Sequence, residues 1–195
     1  MISGVKQLIL ASGSRGRKLV LEKIGVPFIV DASQYQEDMT LDLPPKQLAI
    51  KLSQGKAREV AARHKNAVVI GADSFGIFKG QLLGKPQTHK KAKEMLSALS
   101  GQTHSFITGF TIIDSDSKLE TSDVAETRVT FKKLSDSEID NYLAKENVLN
   151  NAAAYIIQGL GAVLVEKIGG DYENVIGLPL SKVAQALKDF DIQII

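Results

Sequence analysis

The sequence predicts an α/β protein, on three observations. Residues Ala67-Val-Val-Ile70 form a continuous strand-forming run of the kind buried on both faces of a sheet. Strand-like and helix-like patterns alternate along the chain, and a β-meander pattern occupies its middle.

Taken in order, Gln7–Ser12 reads as a buried strand. Arg15–Ile24 reads as a helix stopped by Gly25 and Pro27, the first suited to a left-handed cap and the second unable to continue the helix. Phe28–Ala32 is a second strand, and a polar loop runs from Asp31 to Pro45. A long helix then extends to about His64 with Pro45 in its first turn, where a missing N–H costs nothing. The strand 67–71 stops at Gly71-Ala72 and delivers Asp73 into a Ser-Phe-Gly turn, with a hairpin expected through Lys79-Gly80. Thr88 can cap a helix whose residues Ala92, Met95, Leu96 and Leu99 fall on one face, closed by Ser100-Gly101. Segments 103–113 and 119–131 read as long strands around the turn Asp114-Ser-Asp-Ser117. Ser135 and Glu138 make a capping box for another helix, and Leu180, Val183, Ala184 and Leu187 give the last helix an apolar face. With no repeat, low-complexity tract or linker, a single domain over 1–195 is expected.

Composition narrows the function. A chain of 195 residues with 44% hydrophobic content can bury a real core, as one large domain or as two lobes sharing a sheet. A net charge of +2 and 6% aromatic residues give neither a backbone-tracking stripe nor a stacking platform, which argues against nucleic acid and against a membrane surface as partners. Without cysteine there are no disulfides or thiolate zinc sites, and the three histidines, 64, 89 and 104, lack metal-ligand spacing. The apolar segment Leu8–Ala11 is too short for a signal core and no 18-residue apolar run exists, so a cytoplasmic protein is expected.

Several loops carry chemistry. Ligands in open α/β sheets sit outside the carboxyl ends of strands, so Asp73 is the first catalytic candidate; the alternative is an Asp that caps its own turn. The turn Ser12-Gly-Ser14-Arg15-Gly-Arg17-Lys18 opens a helix with hydroxyls, glycines and three basic residues. Backbone N–H groups and the helix dipole favour an anion there, and Ser12, Ser14, Arg15 and Arg17 can add donors. An ordinary Ser cap with a solvated basic turn is the alternative, although cations at a helix N-terminus oppose the dipole. It is neither a Walker loop nor a dinucleotide fingerprint, and Gly159-Leu-Gly161 fails the latter too. Lys56 lies on the Leu48, Leu52, Val60 ladder that should face the protein, either seeking a partner or snorkelling at the stripe's edge. Lys85, in Leu83-Gly-Lys-Pro86, is either an anion ligand or a plain turn lysine.

The ordered set of motifs resembles the Maf-like nucleoside triphosphate pyrophosphatases, once described as septum-formation inhibitors. Its anchors are Leu8-Ile-Leu-Ala-Ser-Gly-Ser14 with Arg17, Leu52 to Lys56-Ala57, Ile70-Gly-Ala-Asp-Ser74, Leu83-Gly-Lys-Pro86, Leu99-Ser-Gly-Gln-Thr-His104, Ala154-Tyr155 with Ile157-Gln-Gly159, and Gly170-Asp-Tyr-Glu-Asn-Val-Ile-Gly-Leu-Pro-Leu180. The resemblance implies a mixed twisted sheet with flanking helices and two lobes around a deep nucleotide-binding cleft. It also implies a cytoplasmic homodimer that hydrolyses a nucleoside triphosphate to its monophosphate and pyrophosphate with a divalent metal cation, Mg²⁺ or Mn²⁺. By the same resemblance Asp73 is the proton acceptor, Glu37 and Asp73 hold the metal, and Ser12, Ser14, Arg15, Arg17, Glu37, Lys56, Ser74, Lys85 and Gln158 bind substrate.

Departures concern substrate more than reaction. The dTTP- and UTP-preferring branch has Ser-Pro-Arg-Arg where this chain has Ser14-Arg-Gly-Arg17, so one of two paired arginines is Gly16 here. The branch's Lys-Ala-Gly-Ala-Tyr-Gly becomes Asn151-Ala-Ala-Ala-Tyr-Ile156, and Ala153 and Ile156 restrict backbone angles that glycine leaves open. Gln158 and the hydroxyl of Ser74 are retained, which favours that branch over its 7-methyl-GTP relative. The expectation is a house-cleaning pyrophosphatase acting on dTTP, UTP or modified pyrimidine nucleotides, the alternative a non-catalytic nucleotide-binding regulator of cell division.

Overall fold

The computed structural model describes residues 6–195. Its strands are β1 (Gln7–Leu10), β2 (Phe28–Val30), β3 (Ala67–Phe78), β4 (Gln81–Leu83), β5 (Thr103–Asp114), β6 (Glu120–Phe131) and β7 (Val165–Gly169). Its α-helices are α1 (Arg15–Glu22), α2 (Pro45–Ala61), α3 (His89–Leu99), α4 (Asp136–Lys145), α5 (Tyr172–Ile176) and α6 (Leu180–Leu187). The strands form one sheet in the order β2-β1-β3-β5-β6-β7, with β4 paired to β3. The sheet is mixed: β1 runs parallel to β2 and β3, whereas β3–β4 and β6–β7 are antiparallel. The expected α/β class with flanking helices is the one observed. Among the described residues no helix is long and apolar enough to cross a membrane.

Two compact units divide the chain. The first comprises the residues up to Ser74 with Thr108–Ala125 and Gly177–Ile195, the second Phe75–Ile107 with Glu126–Ile176. In the first, the parallel trio registers Leu10 with both Val30 and Ile70. Its core packs Ala57, Val60 and Ala61 of α2 on Ile9, Val69 and Ile113. Close approach by α2 requires bare backbone beneath it. A Cβ at Gly71 would lie 2.6 Å from Ala57 N and Ser53 O, and one at Gly109 would lie 2.3 Å from Ala49 C. No side chain fits either position.

One sequence expectation is corrected here. β3 does not stop at Gly71; it continues through Asp73 to Phe78 between β1, whose ladder ends at Leu10–Ile70, and β5, and it takes up β4 from Gly76–Leu83 onward. Asp73 therefore sits inside a strand just beyond the last parallel pair, not in a turn. The expected hairpin lies where Lys79 and Gly80 both take positive φ, 49° and 78°, the mirror-image turn that suits strand twist.

The second unit is held by Ala92, Leu96 and Leu99 of α3, Ile139, Tyr142 and Leu143 of α4, and the aromatic group Phe106, Phe131 and Tyr155. The Ser135–Glu138 capping box forms as the sequence predicts. Residues 160–164 form a 3₁₀ turn and 172–176 a short helix; Asp171 caps the latter by accepting the Asn174 N–H at 3.2 Å.

Buried among those aromatics is His104, 2% exposed, with edge-on rings of Phe106, Phe131 and Tyr155 within 5.9 Å. Nε2 meets the Tyr155 hydroxyl at 3.0 Å, while Nδ1 has no hydrogen bond. Burial pushes its pKa down from 6.5 to about 4, so the folded protein holds it neutral. The unfolded chain binds the proton first, and stability carried by neutral His104 is complete above pH 6.5 and lost as pH falls through 4. Denaturant unfolding should show a loss of about 3 kcal/mol over that window relative to a His104→Asn variant. Parallel stability curves for the two proteins would contradict it.

Candidate functional site

The first unit gathers most of the residues that the sequence singles out. On α2 the buried face runs Leu48, Leu52, Lys56 and Val60, with Lys56 only 9% exposed. Its ammonium forms an ion pair with Asp73 Oδ1 and a second with Glu37 Oε1 at 2.7 Å. Asp73 is 6% exposed, and among the described residues its Oδ2 receives no hydrogen bond. It does not cap a turn. Buried charge is tolerable here because it is paired.

Glu37 reaches Lys56 from the loop between β2 and α2. Two contacts with α2 fix that loop. Glu59 Oε2 accepts from Ser33 Oγ at 2.8 Å and from Gln34 N at 3.0 Å. The Tyr35 ring lies against Gly55, where a Cβ would come within 2.3 Å of the ring. Sequence reasoning missed Tyr35, Gly55 and Glu59, since nothing in their local pattern says that a loop 20 residues upstream rests on this helix.

The turn after β1 supplies hydroxyls. Ser14 is the N-cap of α1 and accepts Arg17 N at 3.4 Å. Ser12, 7% exposed, accepts from Ser14 N at 3.3 Å and from Arg17 Nη1 at 3.1 Å. Both lone pairs of Ser12 are thus used, and its proton remains to be donated. Arg17 does not project into solvent against the helix dipole. It folds back, donating Nε–H to Gly177 O at 2.9 Å and Nη2–H to Ser74 Oγ at 3.0 Å. Burial pushes its pKa below the ordinary value while the charges of Asp73 and Glu37 oppose that shift, and a guanidinium stays protonated. Ser74 Oγ also meets Thr108 Oγ1 at 2.9 Å, a partner that the sequence does not reveal. Arg15, at the first position of α1, is exposed.

Lys85 and Gln158 belong to the second unit, and both are exposed. Lys85 precedes buried Pro86 in a segment tied by Ala153 N to Gly84 O at 3.2 Å and Gln87 N to Leu149 O at 3.0 Å. Gly84 has open space around it, so no protein backbone explains its lack of a side chain. In the altered motif, Ala153 and Ala154 take left-handed angles, φ 58° and 59°, at a cost of about 1–2 kcal/mol each for a residue with a Cβ. Both methyls are fully buried, which offsets part of that cost.

This chemistry suits a divalent cation. Among the described residues no three His, Asp or Glu side chains converge, so an all-protein cage is absent. Two carboxylates nevertheless converge on one cation, Lys56, with Asp73 Oδ2 open. Mg²⁺ commonly takes one or two carboxylates and completes its shell from phosphate and water, and Glu37 with Asp73 fits that pattern.

The fold and cluster define a mixed α/β protein with a hydroxyl-rich strand-to-helix turn beside a lysine-bridged carboxylate pair. The chain belongs to the Maf-like protein family, whose model matches residues 7–190. It is similar to a dTTP/UTP pyrophosphatase of Halalkalibacterium halodurans, 44% identical over 94% of this chain and 96% of the relative. Those of Methanosarcina barkeri and Bacillus cereus are 42% and 40% identical, covering 97% of this chain and 97% and 93% of their own lengths.

The ion cluster should be measurable as a coupling. Lys56→Met strands a buried carboxylate and should cost about 3 kcal/mol in urea unfolding at pH 7, whereas Lys56→Met/Asp73→Leu should recover most of it. Losses that simply add would show that the two groups do not depend on one another.

Proposed function

We propose that the chain is a nucleoside triphosphate pyrophosphatase that releases the monophosphate and pyrophosphate, acting on dTTP, UTP or modified pyrimidine nucleotides. The observation that carries the reading is the Lys56 clamp on Asp73: it fixes one carboxylate oxygen and leaves Oδ2 to accept a proton. Water attacks the α-phosphorus, its proton passes to Asp73 Oδ2, and the bond from that phosphorus to the bridging oxygen breaks to release pyrophosphate. Ser12 and Ser14 hydroxyls, the α1 N-terminus and Arg17 N–H groups bind phosphate oxygens. Arg15, at the first position of α1, adds a further substrate contact in this reading.

Charge arithmetic supports a metal. Lys56 and Arg17 are cancelled by Asp73 and Glu37, so the cluster has no surplus with which to balance a triphosphate. A divalent ion, Mg²⁺ or Mn²⁺, held by Glu37 and Asp73, supplies that surplus when bound. A preference for pyrimidine nucleotides is supported by the relatives, which are dTTP/UTP pyrophosphatases, and by the retained Gln158, although Gly16 replaces one arginine of that branch. A homodimer in the cytoplasm belongs to the same proposal through the family resemblance, and a monomer mass by light scattering would remove the dimer.

The test is pyrophosphate release from a panel of triphosphates with and without Mg²⁺ or Mn²⁺. The native chain should turn over dTTP or UTP only with metal, and Asp73→Asn should lose about 10³-fold or more in kcat. Full turnover by Asp73→Asn would overturn the assignment, and nucleotide binding without any turnover would favour the binding regulator.

A further inference from the structure

The hydrogen-bond capacity of Ser74 is already spent inside the protein. A serine hydroxyl has one proton and two lone pairs. Gly177 O can only accept, so the Ser74 proton goes there at 3.3 Å. The Arg17 guanidinium can only donate, and its Nη2–H fills one lone pair at 3.0 Å. Thr108 Oγ1 must therefore be the donor into the other, at 2.9 Å. Although Ser74 follows Asp73 in sequence, nothing remains on its oxygen with which to hold a ligand.

Thr108 is fully buried in β5 and reaches no ligand itself. Its effect runs through Ser74 to Arg17. That guanidinium is gripped on three of its five N–H groups by Gly177 O, Ser12 Oγ and Ser74 Oγ, which leaves one hydrogen on Nη1 and one on Nη2. Ser74, Thr108 and Gly177 are also the residues at which the three segments of the first unit end or begin. The planar fork bonds the first and third segments directly and is linked to the second through Ser74.

We infer that Thr108 is a positioning residue: its hydroxyl, acting through Ser74, sets the plane of the Arg17 guanidinium so that the two remaining N–H groups meet substrate phosphate oxygens. Ser74 belongs to that device and is not a substrate ligand. The functional half of this inference rests on the proposed pyrophosphatase reading; the structural half does not. Loss of the Thr108 hydroxyl removes one of the three hydrogen bonds that fix Ser74 Oγ and so loosens the point at which Arg17 Nη2 is held.

The experiment uses the full chain with Thr108→Val, Thr108→Ser, Ser74→Ala and the double variant Ser74→Ala/Thr108→Val. Two readouts are followed: hydrogen exchange of the Arg17 Nε–H by NMR, its signal identified by its loss in Arg17→Lys, and kcat and KM for pyrophosphate release from dTTP. Thr108→Val should speed the exchange and raise KM by about tenfold each, with a smaller fall in kcat, and Thr108→Ser should restore both to within about twofold. Because both residues act on one path, the double variant should be no worse than Ser74→Ala alone. A merely structural role would move thermal stability without this KM shift and without rescue by serine. Unchanged Arg17 exchange and unchanged KM in Thr108→Val, or additive effects in the double variant, would overturn the inference. Absence of turnover in the native chain would sink the proposed function instead, with the exchange rates still deciding whether Thr108 holds Arg17.

Discussion

The first unit depends on how closely helix α2 lies on its strands. Gly71 of β3 and Gly109 of β5 present no side chains to it, so the backbone of α2 at Ala49, Ser53 and Ala57 rests where methyl groups would otherwise stand. That contact places Lys56, the residue before Ala57, beside the carboxylate that β3 delivers two positions after Gly71. Ser53 reinforces the contact by bonding Thr111 Oγ1 of β5 at 2.8 Å. The ion pair of Lys56 with Asp73 is a consequence of packing, and the packing is a consequence of two glycines. Any widening there would separate charges that are only tolerable together.

Around that pair the site has an anionic and a cationic half. Asp73 and Glu37 set carboxylate oxygens around one cation, the ammonium of Lys56. The Ser12–Ser14 turn and Arg17 carry hydrogen-bond donors. Each half is organised by partners within the protein: Glu59 and the Tyr35–Gly55 contact hold the loop of Glu37, and Gly177 and Ser74, itself bonded by Thr108, hold Arg17. Polar groups fully committed to one another define a geometry before any ligand arrives, which is what positioning a triphosphate for in-line attack demands.

Much of the fold was legible because it rests on local rules. The helix stripe that carries Lys56, the Thr88 and Ser135 caps, the Lys79-Gly80 turn and the pair of long strands all follow from short-range pattern. The extension of β3 beyond Gly71 was not, because Asp-Ser-Phe-Gly reads locally as a turn and only its place in the sheet, beside β5 and running on into the β4 ladder, makes it strand. Residues near the site divide the same way. Ser12, Arg17, Lys56 and Asp73 stand out by type and spacing, whereas Thr108, Tyr35 and Glu59 owe their interest to neighbours far away in sequence. Arg17 was visible as a cation on a helix N-terminus, but that its fork turns inward to Gly177, 160 residues on, follows only from three-dimensional closure.

The central claim is that the Lys56-clamped Asp73 directs water to the α-phosphorus. Hydrolysis of dTTP in ¹⁸O-labelled water, with the products separated and weighed by mass spectrometry, tests it most directly. The account predicts one ¹⁸O in the thymidine monophosphate and none in the pyrophosphate. Label in the pyrophosphate, or release of orthophosphate in its place, would mean that attack falls on another phosphorus and that the assignment of Asp73 is wrong.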